Sequence, residues 1–225
     1  IYLALSALRL GPAPEAPSAE DRDPDTGLLN KDALGNIATE AMKAAGAQTD
    51  PYEMTFLELE GLDDLKARIG GEDAEEFMSE ITAHMQAHSI NGDAAGHISG
   101  DKYGLVHDAG LDVSALEGAL AERTRVADPT GKGVEVEAAT VALDGDSEVS
   151  EEDSAKALLY TINRFSDERG DFTIGDLSDG YKLMLDETVE RISSFKSTLA
   201  KSEFDVVYQP IVSLGDRSVH HFEAL

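Results

Sequence analysis

The run Gly96-His97-Ile98-Ser99-Gly100-Asp101-Lys102-Tyr103-Gly104-Leu105-Val106 limits the fold more than any other stretch of this chain. Ser99-Gly100-Asp101-Lys102 reads as a tight turn, because Gly and Asp tolerate the backbone angles that hairpins require. Ile98 leads into it. Tyr103, Leu105 and His107 alternate with Gly104 and Val106 on the way out, which is the period of a strand. Two short strands joined by this turn are therefore expected.

Helical and extended patterns surround the hairpin. Asn30 reads as an N-cap for a helix with Leu34, Ile37, Ala38, Ala41 and Ala44 on one face. Asp50-Pro51 breaks the chain. Residues 52–60 form a strand with Thr55, Leu57 and Leu59 on one face and Met54, Phe56 and Glu58 on the other. Residues 63–69 form a short helix stopped by Gly70-Gly71. Residues 73–90 form a longer helix on Phe77, Met78, Ile81, Met85 and Ile90. After the hairpin come a helix over 112–125 with Val113, Leu116 and Leu120 inward, and a strand over 134–143. A helix over 154–165 then packs Leu158, Leu159, Ile162 and Phe165, with Glu151-Glu152-Asp153 as favourable charge at its start. This order predicts an α/β (α+β) sandwich: a central sheet containing antiparallel strands, with helices on one or both faces.

The turn resembles the signature of the GGDEF family, the diguanylate cyclase domains of bacterial cyclic-di-GMP signalling, which reads Gly-Gly-Asp/Glu-Glu-Phe. Ser99, Gly100, Asp101, Lys102 and Tyr103 occupy those places, so the second acidic residue has become a base. Asp23-Pro24-Asp25-Thr26-Gly27-Leu28-Leu29-Asn30-Lys31 resembles the family's opening Asp-x-Leu-Thr-Gly-Leu-x-Asn-Arg, departing at Asp25 and Lys31. The resemblance implies a nucleotidyl-cyclase-like central sheet flanked by helices.

Further on, residues 171–180 have linker composition, and residues 181–199 read as a helix with Leu185, Val189, Ile192, Phe195 and Leu199 at helical spacing. Tyr208-Gln209-Pro210-Ile211-Val212, a Gly215-Asp216 turn and then Glu223-Ala224-Leu225 follow. Together these resemble the opening of an EAL domain, the cyclic-di-GMP phosphodiesterase family. On this reading residues 1–22 are an upstream tail and linker, 23–170 a degenerate GGDEF-like domain, and 171–202 a linker and connecting helix. Residues 203–225 are then the first strands of a truncated EAL barrel. Those strands are expected to pair antiparallel, since their connection is too short for a parallel crossover.

A cyclase holds a triphosphate beside a divalent metal and activates a ribose hydroxyl. That chemistry needs hard oxygen ligands, cations for phosphate and polar groups for guanine. The resemblance aligns Glu58 with the metal ligand that ends the first strand, and Asp101 with the first acidic residue of the turn, leaving a weak carboxylate pair. Lys102 stands where the family has a carboxylate. Two unit charges about 4 Å apart interact by about 4 kcal/mol at an effective dielectric of about 20, so this reversal disfavours a divalent ion. The phosphate-facing Lys falls on Asp63, the guanine-reading Asn on Lys66, and the Gly-Asp pair of the next helix on Ala74-Glu75. The late phosphate-holding Lys and Arg fall near Asn163 and Asp167. The Arg of the product-inhibition motif Arg-x-x-Asp falls on Ile90, leaving only Asp93. Ser99 and Gly100 complete this degenerate nucleotide pocket, and no catalytic residue is assigned in the fragment. Glu223 is implied as a ligand for Mg²⁺ or Mn²⁺, but only in an intact EAL domain.

The formal charge of −27 repels nucleic acid and anionic membranes. It also repels nucleotides unless a local cation or metal compensates. The absence of Cys excludes disulfides and thiolate metal sites. Residues 1–10 are apolar but too short to span a bilayer, and they lack the charged start of a signal peptide. A cytoplasmic location is expected, alone or as the cytoplasmic part of a membrane-anchored sensor. His84 and His88 stand at i and i+4 without the acid of His-Glu-x-x-His, and read as solvated. His220 and His221, adjacent on a strand, should point to opposite faces.

The function expected is that of a catalytically inactive GGDEF-like regulatory domain modulating a C-terminal EAL phosphodiesterase in the parent protein. The alternative is a non-enzymatic GGDEF-EAL receptor or scaffold. Expected partners are GTP, bound weakly, cyclic-di-GMP through the intact EAL domain, and a second copy in a homodimer. Nucleic acid and membrane contacts are not expected, nor is a cofactor for the fragment itself.

Overall fold

Strand β1, Tyr52–Glu60, carries apolar residues on both faces. Met54 and Phe56 enter one core cluster, Leu57 and Leu59 another. Successive side chains of a strand point to opposite sides, so β1 has to be an interior strand covered above and below. In the computed structural model, which describes residues 17–45, 51–143, 150–167, 177–201 and 207–224, it is. β1 pairs antiparallel with β3, Lys102–Asp108, on one side and with β4, Glu135–Ala142, on the other. β2, Ala95–Ser99, completes a four-stranded sheet in the order β2-β3-β1-β4.

Helices cover both faces of this antiparallel sheet, as the apolar residues on both faces of β1 require. On one side α1, Lys31–Ala45, and α5, Glu151–Asp167, bring Leu34, Ala38, Leu158, Ile162 and Phe165 against Met54 and Phe56. On the other, α2, Leu62–Ile69, α3, Gly71–Ala87, and α4, Val113–Ala127, bring Leu65, Phe77, Ile81, Leu116 and Leu120 against Leu57 and Leu59. Thr55 is buried in the sheet but not orphaned. His107 Nδ1 donates to the Asp108 carbonyl at 2.9 Å, which leaves Nε2 to accept the Thr55 hydroxyl at 2.7 Å. Thr55 Oγ1 is in turn 2.8 Å from Thr140 Oγ1.

Local signals account for most element ends. Asn30 Oδ1 accepts the Ala33 amide at 2.9 Å, and Asp112 caps α4 by accepting the Ala115 amide at 3.0 Å. Gly70 ends α2 at φ +77°, and Gly71 already begins α3, so the glycine pair joins two helices rather than only stopping one. The long helix expected to reach residue 90 ends at Ala87. Ile90 sits in a 3₁₀ turn, Ile90–Gly92, and packs on the cluster opposite to that of Phe77, Ile81 and Met85. One helical face cannot serve both sides of a sheet. Leu159, expected inward, is 43% exposed; a Cβ on Gly35 of α1 would lie 2.9 Å from its Cδ2. The described structure also begins ahead of residue 23, because Arg22 bridges to Leu29.

The chain divides into two units, Ile1–Tyr181 and Lys182–Leu225, with the division inside α6, Leu177–Lys201. α6 starts at Leu177, so residues 177–180 are helical rather than linker, and Leu177 is buried in the first cluster. Its residues Leu185, Val189, Ile192, Phe195 and Leu199 are all exposed. β5, Tyr208–Val212, and β6, Val219–Ala224, form the expected antiparallel hairpin, and all their residues are exposed. Residues 203–206 of that expected strand, and 171–176 of the linker, lie outside the described residues. The register shifts between Ile211 and Val212, which makes His220 an extra residue. A bulge breaks the alternation of faces, and the Nδ1 atoms of His220 and His221 lie 2.8 Å apart instead of on opposite sides.

Candidate functional site

The sequence places its candidate site where β1 ends, β2 turns into β3 and α2 begins. The Leu59 amide donates to the Asp101 carbonyl at 2.9 Å, which fixes the turn beside the end of β1. Gly61, at φ +83°, then swings the chain into α2. Asp101 Oδ2 accepts the amides of Gly61 at 2.9 Å and Leu62 at 3.1 Å. The carboxylate thereby satisfies amides at a helix start that have no partner within the helix. Its Oδ1 is buried with no hydrogen-bond partner. Glu58 lies on the strand face of Met54 and Phe56, opposite Lys102 in register. Asp101 is directed to the α2 amides.

Lys102 is only 7% exposed. Its Nζ donates to the Phe165 carbonyl at 2.6 Å and stands 4.8 Å from the centre of the Phe165 ring. Ser99 Oγ donates to the Ser166 carbonyl at 3.1 Å. Both groups serve the last turn of α5, whose carbonyls lack helical partners and whose dipole favours a cation. The resemblance sets this ammonium in a carboxylate's place, where it disfavours a divalent ion; the fold puts it between the sheet and α5.

The remaining positions divide. Asp63 and Lys66 form an ion pair one turn apart on α2. Glu75 is exposed on α3 and Asn163 on α5, helices that cover opposite faces of the sheet. Glu223 is exposed on β6, opposite Gln209. Among the described residues no three His, Asp or Glu side chains converge as a metal-holding group. Burial pushes the Tyr103 phenol up, and the carboxylates of Asp101, Asp63 and Asp23 add to that. The histidines expected in solvent are partly enclosed. His84 Nε2 is buried without a partner, and burial, then the charges of Arg123 and His88, hold its pKa below the ordinary value.

Several polar anchors had no local signal in the sequence. Arg22 grips both oxygens of Asp93, at 3.0 and 2.8 Å. A guanidinium therefore does face Asp93, though not from position 90. Beside Gly61, a cleft of about 330 Å³ is lined by Glu60, Asp64, Arg68, Thr130 and Lys132. Its wall is fixed by Asp128, which is buried. Asp128 accepts Arg68 Nη2 at 3.0 Å, the Thr130 amide and hydroxyl at 2.9 Å each, and the Gly133 amide at 3.0 Å. The Arg68 guanidinium first, then the Thr130 amide, hold its carboxyl well below the usual range. The cleft therefore offers two cations against two carboxylates, with Arg68 already engaged.

No protein-family profile matches the chain, and no curated protein matches it in sequence. Among solved structures it is similar to GGDEF domains. The GGDEF domain of DgcB from Caulobacter crescentus, solved in complex with c-di-GMP, is 12% identical with a TM-score of 0.46, over 72% of this chain and 99% of that one. The FimX GGDEF domain from Pseudomonas aeruginosa is 16% identical with a TM-score of 0.45, over 65% and 91%. The S helix-GGDEF-EAL structure of LapD from Vibrio cholerae, bound to c-di-GMP, is 15% identical with a TM-score of 0.44, over 91% of this chain and 48% of that one. No helix among the described residues is long and apolar enough to cross a membrane.

Proposed function

We propose that residues 23–170 are a GGDEF-like regulatory domain that does not turn over GTP. In the parent protein it modulates an EAL phosphodiesterase that opens at residues 203–225. The observation that carries this reading is the position of Lys102. An ammonium bound to the Phe165 carbonyl occupies the place of a metal-binding carboxylate. Asp101, the other acidic position of the turn, holds the start of α2. Both side chains have passed from chemistry to architecture, while the hairpin that presents them is kept.

Phosphate finds little help in what remains. Asp63 stands at the position of the phosphate-facing Lys and is paired with Lys66. The chain as a whole carries −27. GTP should bind weakly, and a micromolar dissociation constant by calorimetry in Mg²⁺ would contradict that. Incubation of the purified chain with GTP and Mg²⁺ or Mn²⁺ should yield no cyclic-di-GMP by chromatography. Product above that of a Glu58→Ala control would overturn the reading.

For the second half, Glu223 is a single exposed carboxylate on a two-stranded hairpin. It fits a metal only as one ligand of a complete barrel, so this chain should not hydrolyse cyclic-di-GMP. A parent carrying the whole EAL domain should hydrolyse it at a rate that deletion of residues 23–170 changes. An unchanged rate would remove the regulatory role.

A further inference from the structure

α3 and α4 leave an open groove of about 590 Å³ between them. Its floor is apolar, with Phe77 beneath and Val126, 75% exposed, at the side. Its rim is acidic: Asp73, Glu76 and Glu80 come from α3 and Glu122 from α4. Arg123, also at the groove, folds back to donate to the Ala119 carbonyl of its own helix at 3.2 Å. An apolar channel with an acidic rim is shaped for a basic amphipathic helix, held by anchors at i, i+3 and i+7.

This chain contains such a helix. From residue 191 to 201, α6 carries Arg191, Lys196 and Lys201 and no acidic residue. Ile192, Phe195 and Leu199 fall at i, i+3 and i+7, and they are 49, 65 and 46% exposed. In a chain of net charge −27, copies repel one another at long range. This acid-free run can reverse that repulsion locally, although Arg191 also lies 3.5 Å from Glu187 of its own helix. Pairing of two α6 helices is the weaker use of the same stripe. With Leu185, Ile192 and Leu199 along a seam, Arg191 and Lys196 take the flanking positions whose charges meet across a parallel pair, and like charges there oppose it.

We propose that residues 191–201 of a second copy dock in the α3–α4 groove, and that the exchange is reciprocal. Each copy then gives a helix and receives one, which closes the assembly as a two-fold dimer rather than an open chain. The inference does not depend on the reading of the nucleotide site.

Sedimentation equilibrium on the 225-residue chain tests it. The chain should dimerise, more weakly as salt rises. Glu76→Lys with Glu80→Lys, and separately Arg191→Glu with Lys196→Glu, should each weaken dimerisation at least tenfold. An equimolar mixture of the two double variants should restore it, because each groove then meets a helix of opposite charge. Circular dichroism checks that both fold. Phe195→Ser, at an exposed position, should also weaken the dimer without touching charge. A monomer at all concentrations would overturn the proposal, whether the groove takes the chain's own helix or another protein. So would a dimer indifferent to both charge pairs and to Phe195→Ser, or a mixture that does not re-associate although both variants fold.

Discussion

Lys102 of β3 donates its Nζ to the carbonyl of Phe165, in the last turn of α5, across 2.6 Å. A charged hydrogen bond of this kind contributes about 1.5–3 kcal/mol. Lys102→Met should keep the stem and lose the bond, lowering stability by about 1–3 kcal/mol. Lys102→Glu, which restores the acidic residue of the resembled motif, sets a carboxylate against that carbonyl and the negative end of α5. It should cost about 3–5 kcal/mol and restore no turnover of GTP. Urea midpoints at neutral pH read both. A Lys102→Glu protein as stable as the parent would place the ammonium outside the interior.

Asp101 distinguishes a helix cap from a metal ligand. Asp101→Asn retains an oxygen for the Gly61 and Leu62 amides and should lose little. Asp101→Ala leaves those amides without an acceptor and should cost about 1–2 kcal/mol. Melting temperatures with and without Mg²⁺ separate the roles. A cap predicts no shift with Mg²⁺ in the parent, and a ligand predicts stabilisation that both variants lose.

Asp128 should govern part of the acid sensitivity. Its pKa is depressed in the folded chain, so the unfolded chain binds the proton more readily. The stability it contributes is complete above the ordinary carboxylate value of about 3.9. It is lost as pH falls from there toward the lower folded value. Asp128→Asn should be less stable than the parent at neutral pH and show a flatter decline between about pH 5 and 2. Urea unfolding at stepped pH measures the slope, and parallel curves for the two proteins would refute the assignment.

Gly96 and Gly104 face each other across β2 and β3, and Leu34 of α1 lies over both. A Cβ on Gly96 would stand 2.9 Å from Leu34 Cβ, an atom close to the helix backbone that cannot swing aside. Gly96→Ala should therefore push α1 from the sheet and cost about 1–3 kcal/mol. Gly110→Ala, with nothing within 4 Å of the new atom, should stay within about 0.5 kcal/mol of the parent. Equal effects at the two positions would show that the close approach is not needed.

Much of the fold was legible in the sequence by itself. Residues 52–60 alternate two apolar sets and form β1 over that span. Asn30 caps α1, the Gly100-Asp101 turn joins β2 to β3, and the strands around Gly215-Asp216 pair antiparallel. Each of these depends on residues a few positions apart, where periodicity and turn chemistry act. The partners of the polar groups were not legible. Lys102 finds Phe165 across 63 positions, Arg68 finds Asp128 across 60, and Arg22 finds Asp93 across 71. Ile90 packs on the cluster opposite to that of Phe77, Ile81 and Met85, since the side of a sheet that a segment covers is not written in its own periodicity. Leu159 stays 43% exposed beside Gly35 of α1. Which carboxylate meets which cation depends on how the helices pack on the two faces of the sheet. Packing is a property of the whole chain, because only the assembled core brings such distant groups within hydrogen-bonding reach.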